Sequence, residues 1–514
     1  MTTAPRIAFA SLLALACGAA ACSTEVVVVG GDDPSNPAAA GATPGLGGVP
    51  GVPASPPAKV SITEVAVFQG VKVSVFAEGE RVAERNAPLV AGRPALIRVY
   101  VAPLDGFQPG KFAGELTLKA PDGKVTTLRD VRSLTAKSTD AVSTSTLNFE
   151  VPPAALALGT TFSVSVTDDG STNQEPVRYP AGTAVDDLEL KASNVLKVVV
   201  VPVRFDADSS QRLPDVTEAQ LAVYKRTMMA LYPATDVTVT ARAPYAWSST
   251  IAANGQGWDT VLNAMVSLRR ADRADNETYY YGVFNPSSSF GDFCRRGCVT
   301  GLSGLVNRPG DAFLRASVGL GFTGAESANT MAHEIGHAHG REHAPCGGAS
   351  GADRYFPHKG GAIGSWGYDI LSKKFISPTT GKDMMGYCDP SWVSDYTYSA
   401  LYDRILAVSG AQEENAQRST SGGGGSYRIV SFDGDGVAKT SEVMQLDREP
   451  EGAPQQVEYL GDSSLVMARA TAHVYRYDHL PGGIVVAPEQ AGNVRALRVA
   501  GFTRSLDLAS LRAR

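Results

Sequence analysis

Four of the seven histidines in this 514-residue chain fall within positions 333–343, in the run Met331-Ala332-His333-Glu334-Ile335-Gly336-His337-Ala338-His339-Gly340-Arg341-Glu342-His343. On a helix of 3.6 residues per turn, His333 and His337 leave one face, at a separation that suits two ligands of a tetrahedral zinc ion. Glu334 then faces the open coordination position, where a carboxylate accepts a proton from water. Gly340 stands three residues after His337, where a chain leaving a helix often needs a positive φ. The turn swings His343 back as a third nitrogen ligand. His339 points about 160° away from the ligand face and reads as a non-ligand, in a supporting or surface position.

This HExxHxxGxxH pattern resembles the metzincin zinc endopeptidases. The resemblance extends to Asp383-Met384-Met385-Gly386-Tyr387-Cys388, which is similar to the methionine turn beneath the metal in that clan. Met385 aligns best with the turn methionine and Met384 is the alternative. The resemblance covers residues 196–408, with its specific part at 333–343 and 383–388. It implies one catalytic Zn2+ held by His333, His337 and His343, with Glu334 as the general base and Tyr387 polarising the scissile carbonyl. It gives Asp383 the task of orienting the turn or hydrogen-bonding a ligand histidine, and Trp392, Tyr396 and Tyr398 a packing role. Phe313–Val318 becomes an edge strand for an extended peptide. Ala344, after the third ligand, matches none of the familiar acidic, serine or proline choices, so the subfamily stays open. The implied activity is hydrolysis of peptide bonds in extracellular proteins. The alternatives are a catalytically inactive, zinc-stabilised surface adhesin and a zinc hydrolase of amides outside proteins, such as cell-wall peptides. No EF-type calcium loop is visible.

The N-terminus sets the compartment. Residues 1–22 read as an export signal, with Arg6 ahead of a short apolar core and small residues leading into Cys17 and Cys22. Ala19-Ala20-Ala21-Cys22-Ser23 resembles a bacterial lipobox, and Cys17 fits about as well. Residues 23–58 are rich in Gly and Pro and read as a tether. The expected location is therefore the cell surface or outer membrane as a lipoprotein, or the secreted fraction, with membrane contact only through that anchor. In an oxidising compartment Cys294, Cys298, Cys346 and Cys388 suggest two disulfides, with three pairings open and a four-cysteine zinc site as rival. The metzincin resemblance favours Cys346–Cys388, since both flank the metal floor, and leaves Cys294–Cys298 as a local clip.

Three folded bodies are expected. Residues 59–195 carry alternating runs such as Val60–Val65, Ala95–Val101 and Thr161–Val166, broken at Asp122-Gly123 and Asp169-Gly170. They predict an antiparallel, immunoglobulin-like β-sandwich, a spacer or docking module. Residues 196–410 alternate strands (Lys197–Val203, Asp236–Thr240, Tyr279–Phe284) with helices (Thr217–Leu231, Trp258–Arg270, Glu326–His339), which makes an α/β, metzincin-like domain. Residues 411–426 read as a flexible linker and 427–514 as a small accessory β-domain. His358 reads as loop surface, and His473 and His479 have no metal-type spacing. The net charge of −6 comes without a basic stripe, which argues against nucleic acid as a partner.

Overall fold

Apolar side chains at every second position fold residues 57–195 into two antiparallel sheets. Thr161–Asp168 shows the rule: Phe162, Val164 and Val166 are buried, while Ser163 and Ser165 between them are only partly so. Each fully buried side chain of this kind is worth about 1.5–3 kcal/mol. One sheet orders Lys72–Ala77, Val60–Phe68, Ala95–Pro103 and Leu147–Val151; the other orders Val125–Leu134, Gly110–Lys119 and Thr161–Asp168. At Gly114 the sheets approach closely, because a Cβ there would meet Leu147 and Phe149 of the facing sheet. These positions come from a computed structural model that describes residues 26–27, 57–170, 174–418 and 424–511. The leader with Cys17 and Cys22, and most of the tether, lie outside the described residues. Val26–Val27, inside the stretch read as a tether, pairs with Leu128 and Thr127.

The second body is a mixed sheet between helices. Its strands are β1 (Leu196–Phe205), β2 (Val237–Ala241), β3 (Thr278–Phe284), β4 (Gly301–Ser303) and β5 (Ala316–Leu320), in the order β2-β1-β3-β5-β4. Only β4 runs antiparallel to its neighbour. Because both faces are covered, the strands are apolar almost throughout. Val198, Val200, Tyr279 and Tyr281 face α1 (Glu218–Leu231) and α3 (Ala325–Ala338), whereas Val201, Val203, Tyr280 and Val318 face α2 (Trp258–Ala271). Thr217 occupies the N-cap of α1 without a side-chain cap bond; Asp215 Oδ1 accepts from its amide at 2.9 Å instead.

Two sequence expectations are corrected here. Helix α4 (Asp395–Arg418) continues through residues 411–418, read as linker; Ala, Gln, Glu and Arg in that stretch are strong helix formers. Phe313 lies in a short 3₁₀ turn and β5 is an interior strand, so the edge is β4, not Phe313–Val318.

Residues 425–507 form a seven-stranded sheet. One face makes its own core with Val430, Phe432, Val457 and Tyr459. The other places Tyr427, Ile429, Tyr475 and Tyr477 against α2 and β5. This body therefore covers one layer of the central sheet, which is more than an accessory placement. The first body is joined as closely. Arg93 is fully buried and donates to the carbonyls of Tyr232 at 2.9 Å, Ala234 at 3.1 Å and Gln69 at 3.3 Å, as well as that of Met229. Trp392 Nε1 donates to Gly70 O and Tyr398 Oη to Gln69 O, each at 2.8 Å. Among the described residues no helix is long and apolar enough to cross a membrane.

Candidate metal centre

Helix α3 carries His333, Glu334 and His337, then stops at His339. Gly340 takes a φ of 82°. Its amide bonds His337 O at 2.8 Å and that of Arg341 bonds Gly336 O at 3.0 Å, a Schellman ending that only a residue tolerant of positive φ closes cheaply. The chain reverses and brings His343 beside the other two rings, 4.6 Å from His337 and 5.4 Å from His333 between centroids.

Each imidazole is pinned through Nδ1 to a backbone carbonyl: His333 to Met384 at 2.7 Å, His337 to Arg341 at 2.6 Å and His343 to Ser350 at 2.6 Å. A carbonyl only accepts, so Nδ1 carries the proton and Nε2 the lone pair. The Nε2 atoms of His333 and His337 stand 3.0 Å apart with no proton to share. A cation between them replaces that repulsion with two bonds, so the donor set fits a divalent metal. Burial, then the neighbouring imidazoles, hold all three rings below the usual histidine range, in the neutral form a metal requires.

The floor is the turn Asp383–Tyr387. Asp383 Oδ1 accepts from Met385 N at 2.8 Å and Oδ2 from Ser394 N at 2.9 Å, so this carboxylate orients the turn and touches no ligand histidine. Met385 packs its sulfur against Gly336, where a Cβ would overlap it, while Met384 contributes the carbonyl under His333. Cys346 is bonded to Cys388 beside this turn, and Cys294 to Cys298. Tyr387 Oη lies 3.0 Å from His343 Nε2.

Glu334 is 1% exposed. Burial, reinforced by the Asp478 carboxylate, lifts its acid well above the usual range. Its Oε2 has no hydrogen-bond partner and its Oε1 is 3.0 Å from His479 Nε2. His479 is the residue that sequence reasoning missed. It sits after the strand Val466–Arg476, and its nitrogen joins those of His333, His337 and His343 in a group whose ligand atoms all lie within 4.8 Å of one another. Burial alone would lower it, but Asp478 and Glu334 outweigh that and raise it to about 9. The only available signal was an Asp-His pair at a strand end.

The remaining histidines stand apart. His339 is buried rather than at the surface, stacked on Tyr279 at 4.5 Å, and burial pushes it down to about 3. His358 Nε2 pairs with Asp395 Oδ1 at 2.6 Å in a part-buried contact rather than lying free on a loop. His473 Nδ1 bonds Gly452 O at 3.1 Å. A cavity of about 150 Å³ lined by Thr300, His333, Glu334, Tyr387 and His479 opens at the centre. A larger one of about 560 Å³ is also lined by His479, with Asp478, Leu480 and Pro481.

Residues 308–418 match the Peptidase M66 family, which supports a metallopeptidase. No curated protein matches. Among solved structures, a calcium-binding mutant of Bacteroides uniformis β-glucuronidase 2 is 11% identical over 46% of this chain and 26% of its own, with a TM-score of 0.17. Parabacteroides merdae β-glucuronidase is 10% identical over 45% of this chain and 30% of its own, with a TM-score of 0.15. The chain thus spans less than a third of the length of either, and likeness at that level says nothing about activity.

Proposed function

We propose that this chain is a zinc-dependent endopeptidase of metzincin type that cleaves extracellular proteins. The observation that carries the reading is the set of three Nδ1-pinned imidazoles turning their Nε2 lone pairs to one point beside a buried carboxylate. His333, His337 and His343 would hold the ion, which supplies Lewis acidity toward water and the scissile carbonyl. Glu334, raised in pKa by burial, accepts the proton of the attacking water and passes it to the leaving amine. Tyr387 donates from Oη to the carbonyl oxygen as charge develops there. Met385 and Asp383 keep the floor rigid beneath these groups. A purely structural metal site has no use for a buried Glu334, which disfavours an inactive adhesin. Two disulfides fit an oxidising compartment and support export, with Cys17 or Cys22 as the lipid-bearing residue.

The test is incubation of the purified protein with a diverse peptide library, with and without chelator, read by mass spectrometry. Chelator-sensitive internal cleavage is expected. Cleavage that persists in the Glu334→Gln protein, or a protein that takes up no metal, overturns the reading.

A further inference from the structure

We propose that the C-terminal sheet closes the metal site from above: His479 is a fourth protein donor, so the chain as folded is a latent form that opens when the turn Asp478–Pro481 is displaced. This rests on the metallopeptidase reading above and adds its regulation and its fourth ligand.

Three independent features meet at this turn. The first is the ring itself. The centroid of His479 lies 5.2 Å from that of His333, 5.4 Å from His337 and 4.9 Å from His343, so it caps the trio on the side that an open catalytic site leaves free. Metal sites closed by four protein donors are structural, whereas catalytic ones keep a vacant position. Nε2 of the same imidazole is 3.0 Å from Glu334 Oε1 and its Nδ1 bonds Tyr387 Oη, so the ring sits between the two groups proposed to act on water and carbonyl; ligation through Nε2 would release the proton it shares with Glu334 and leave the bond to Tyr387 in place.

The second feature is Asp478. Its side chain is 1% exposed, and Oδ1 accepts from Ser303 N at 3.0 Å and from His479 N at 2.7 Å. Its Oδ2 has no hydrogen-bond partner, yet stands 3.4 Å from His337 Nε2 and 3.3 Å from His479 Nε2. A buried carboxylate oxygen left without a donor is costly, and a cation held by the adjacent imidazoles compensates it.

The third feature is the edge of the central sheet. Gly304 bridges antiparallel to Tyr477, Leu305 N donates to Arg476 O at 3.1 Å and Asp478 N to Ser303 O at 3.2 Å. The chain's own segment thus occupies, beside β4, the kind of edge to which an extended peptide adds as a strand. The turn that follows it then enters the metal site, as a bound peptide would.

The experiment uses the full chain loaded with Co2+, whose visible absorption reports the donors around it, titrated with azide as a small competing ligand. The parent spectrum should be indifferent to azide, while His479→Ala and the space-filling His479→Phe should both respond. Peptide cleavage should rise about 10-fold or more in both variants, because the competent state no longer competes with the closed one. A parent spectrum that shifts with azide as readily as the variants, or cleavage that falls in both, overturns the closure and leaves the peptidase reading standing. A chain that binds no Co2+ overturns both.

Discussion

Gly301 on β4 lies directly against Glu334 on α3: a Cβ added at Gly301 would overlap the Glu334 carboxylate at Oε1. Its φ is not in the left-handed region, so space and not backbone conformation requires the glycine. Gly301→Ala should leave metal content unchanged and lower kcat by about 10- to 100-fold, the scale of a misplaced catalytic group. Metal analysis beside steady-state kinetics checks this; unchanged kcat would remove the positioning role of Gly301.

On the proposed reading, variants of Glu334 and His343 should separate proton transfer from metal retention. Glu334→Gln should keep one ion and lose roughly 10²- to 10⁴-fold in cleavage. His343→Ala should weaken metal affinity by more than about 100-fold, since even the outer partners of ligands are worth 10- to 100-fold. Chelator competition distinguishes the two variants.

The Cys346–Cys388 bridge spans 42 residues and the Cys294–Cys298 bridge only 4. Loop-closure entropy makes the longer one worth roughly 2–4 kcal/mol and the shorter one roughly 2 kcal/mol or less. Paired serine substitutions at 346 and 388 should lower the urea midpoint more than those at 294 and 298. They should also reduce cleavage, because Tyr387 adjoins the bridge.

Arg93 has no carboxylate partner among its hydrogen bonds, only carbonyls from both sides of an interface and the Met229 sulfur. Arg93→Met fills similar space but strips those acceptors of their donor. The expected loss is roughly 3 kcal/mol, measured by chemical denaturation.

Asp311 ties the central body to the C-terminal sheet, accepting from Glu451 N at 3.1 Å and Tyr475 Oη at 2.9 Å. Burial, with Glu451 adding repulsion, holds its carboxyl above the usual range. A folded pKa above the unfolded one means the folded state keeps a proton that the unfolded chain has released. Stability from this group therefore falls as pH rises above about 4. Across pH 4–7 the unfolding midpoint of Asp311→Asn should move upward relative to the parent; a constant difference would refute the assignment.

The three histidines and their helix were legible because local rules agree there: i, i+4 spacing, a glycine at the positive-φ exit and a carboxylate beside the first ring. The buried strands were legible from their apolar runs, and helices α1 to α3 from their period. His479 was not, because 145 positions separate it from Glu334 and no local pattern marks a residue that acts only after two bodies dock. Gly301 was equally silent, since a glycine required for space looks like any other. The edge strand was misplaced because β4 is three residues long and too short to show alternation.

The bonds from Trp392 and Tyr398 to Gly70 and Gln69 bear on how the molecule can be dissected. A truncation that starts at Leu196 would strip Trp392 and Tyr398 of those acceptors and uncover Tyr232 and Ala234, which Arg93 now covers. The smallest autonomous fragment therefore starts ahead of Val60, and what looks like a detachable stalk is scaffolding for the hydrolytic centre.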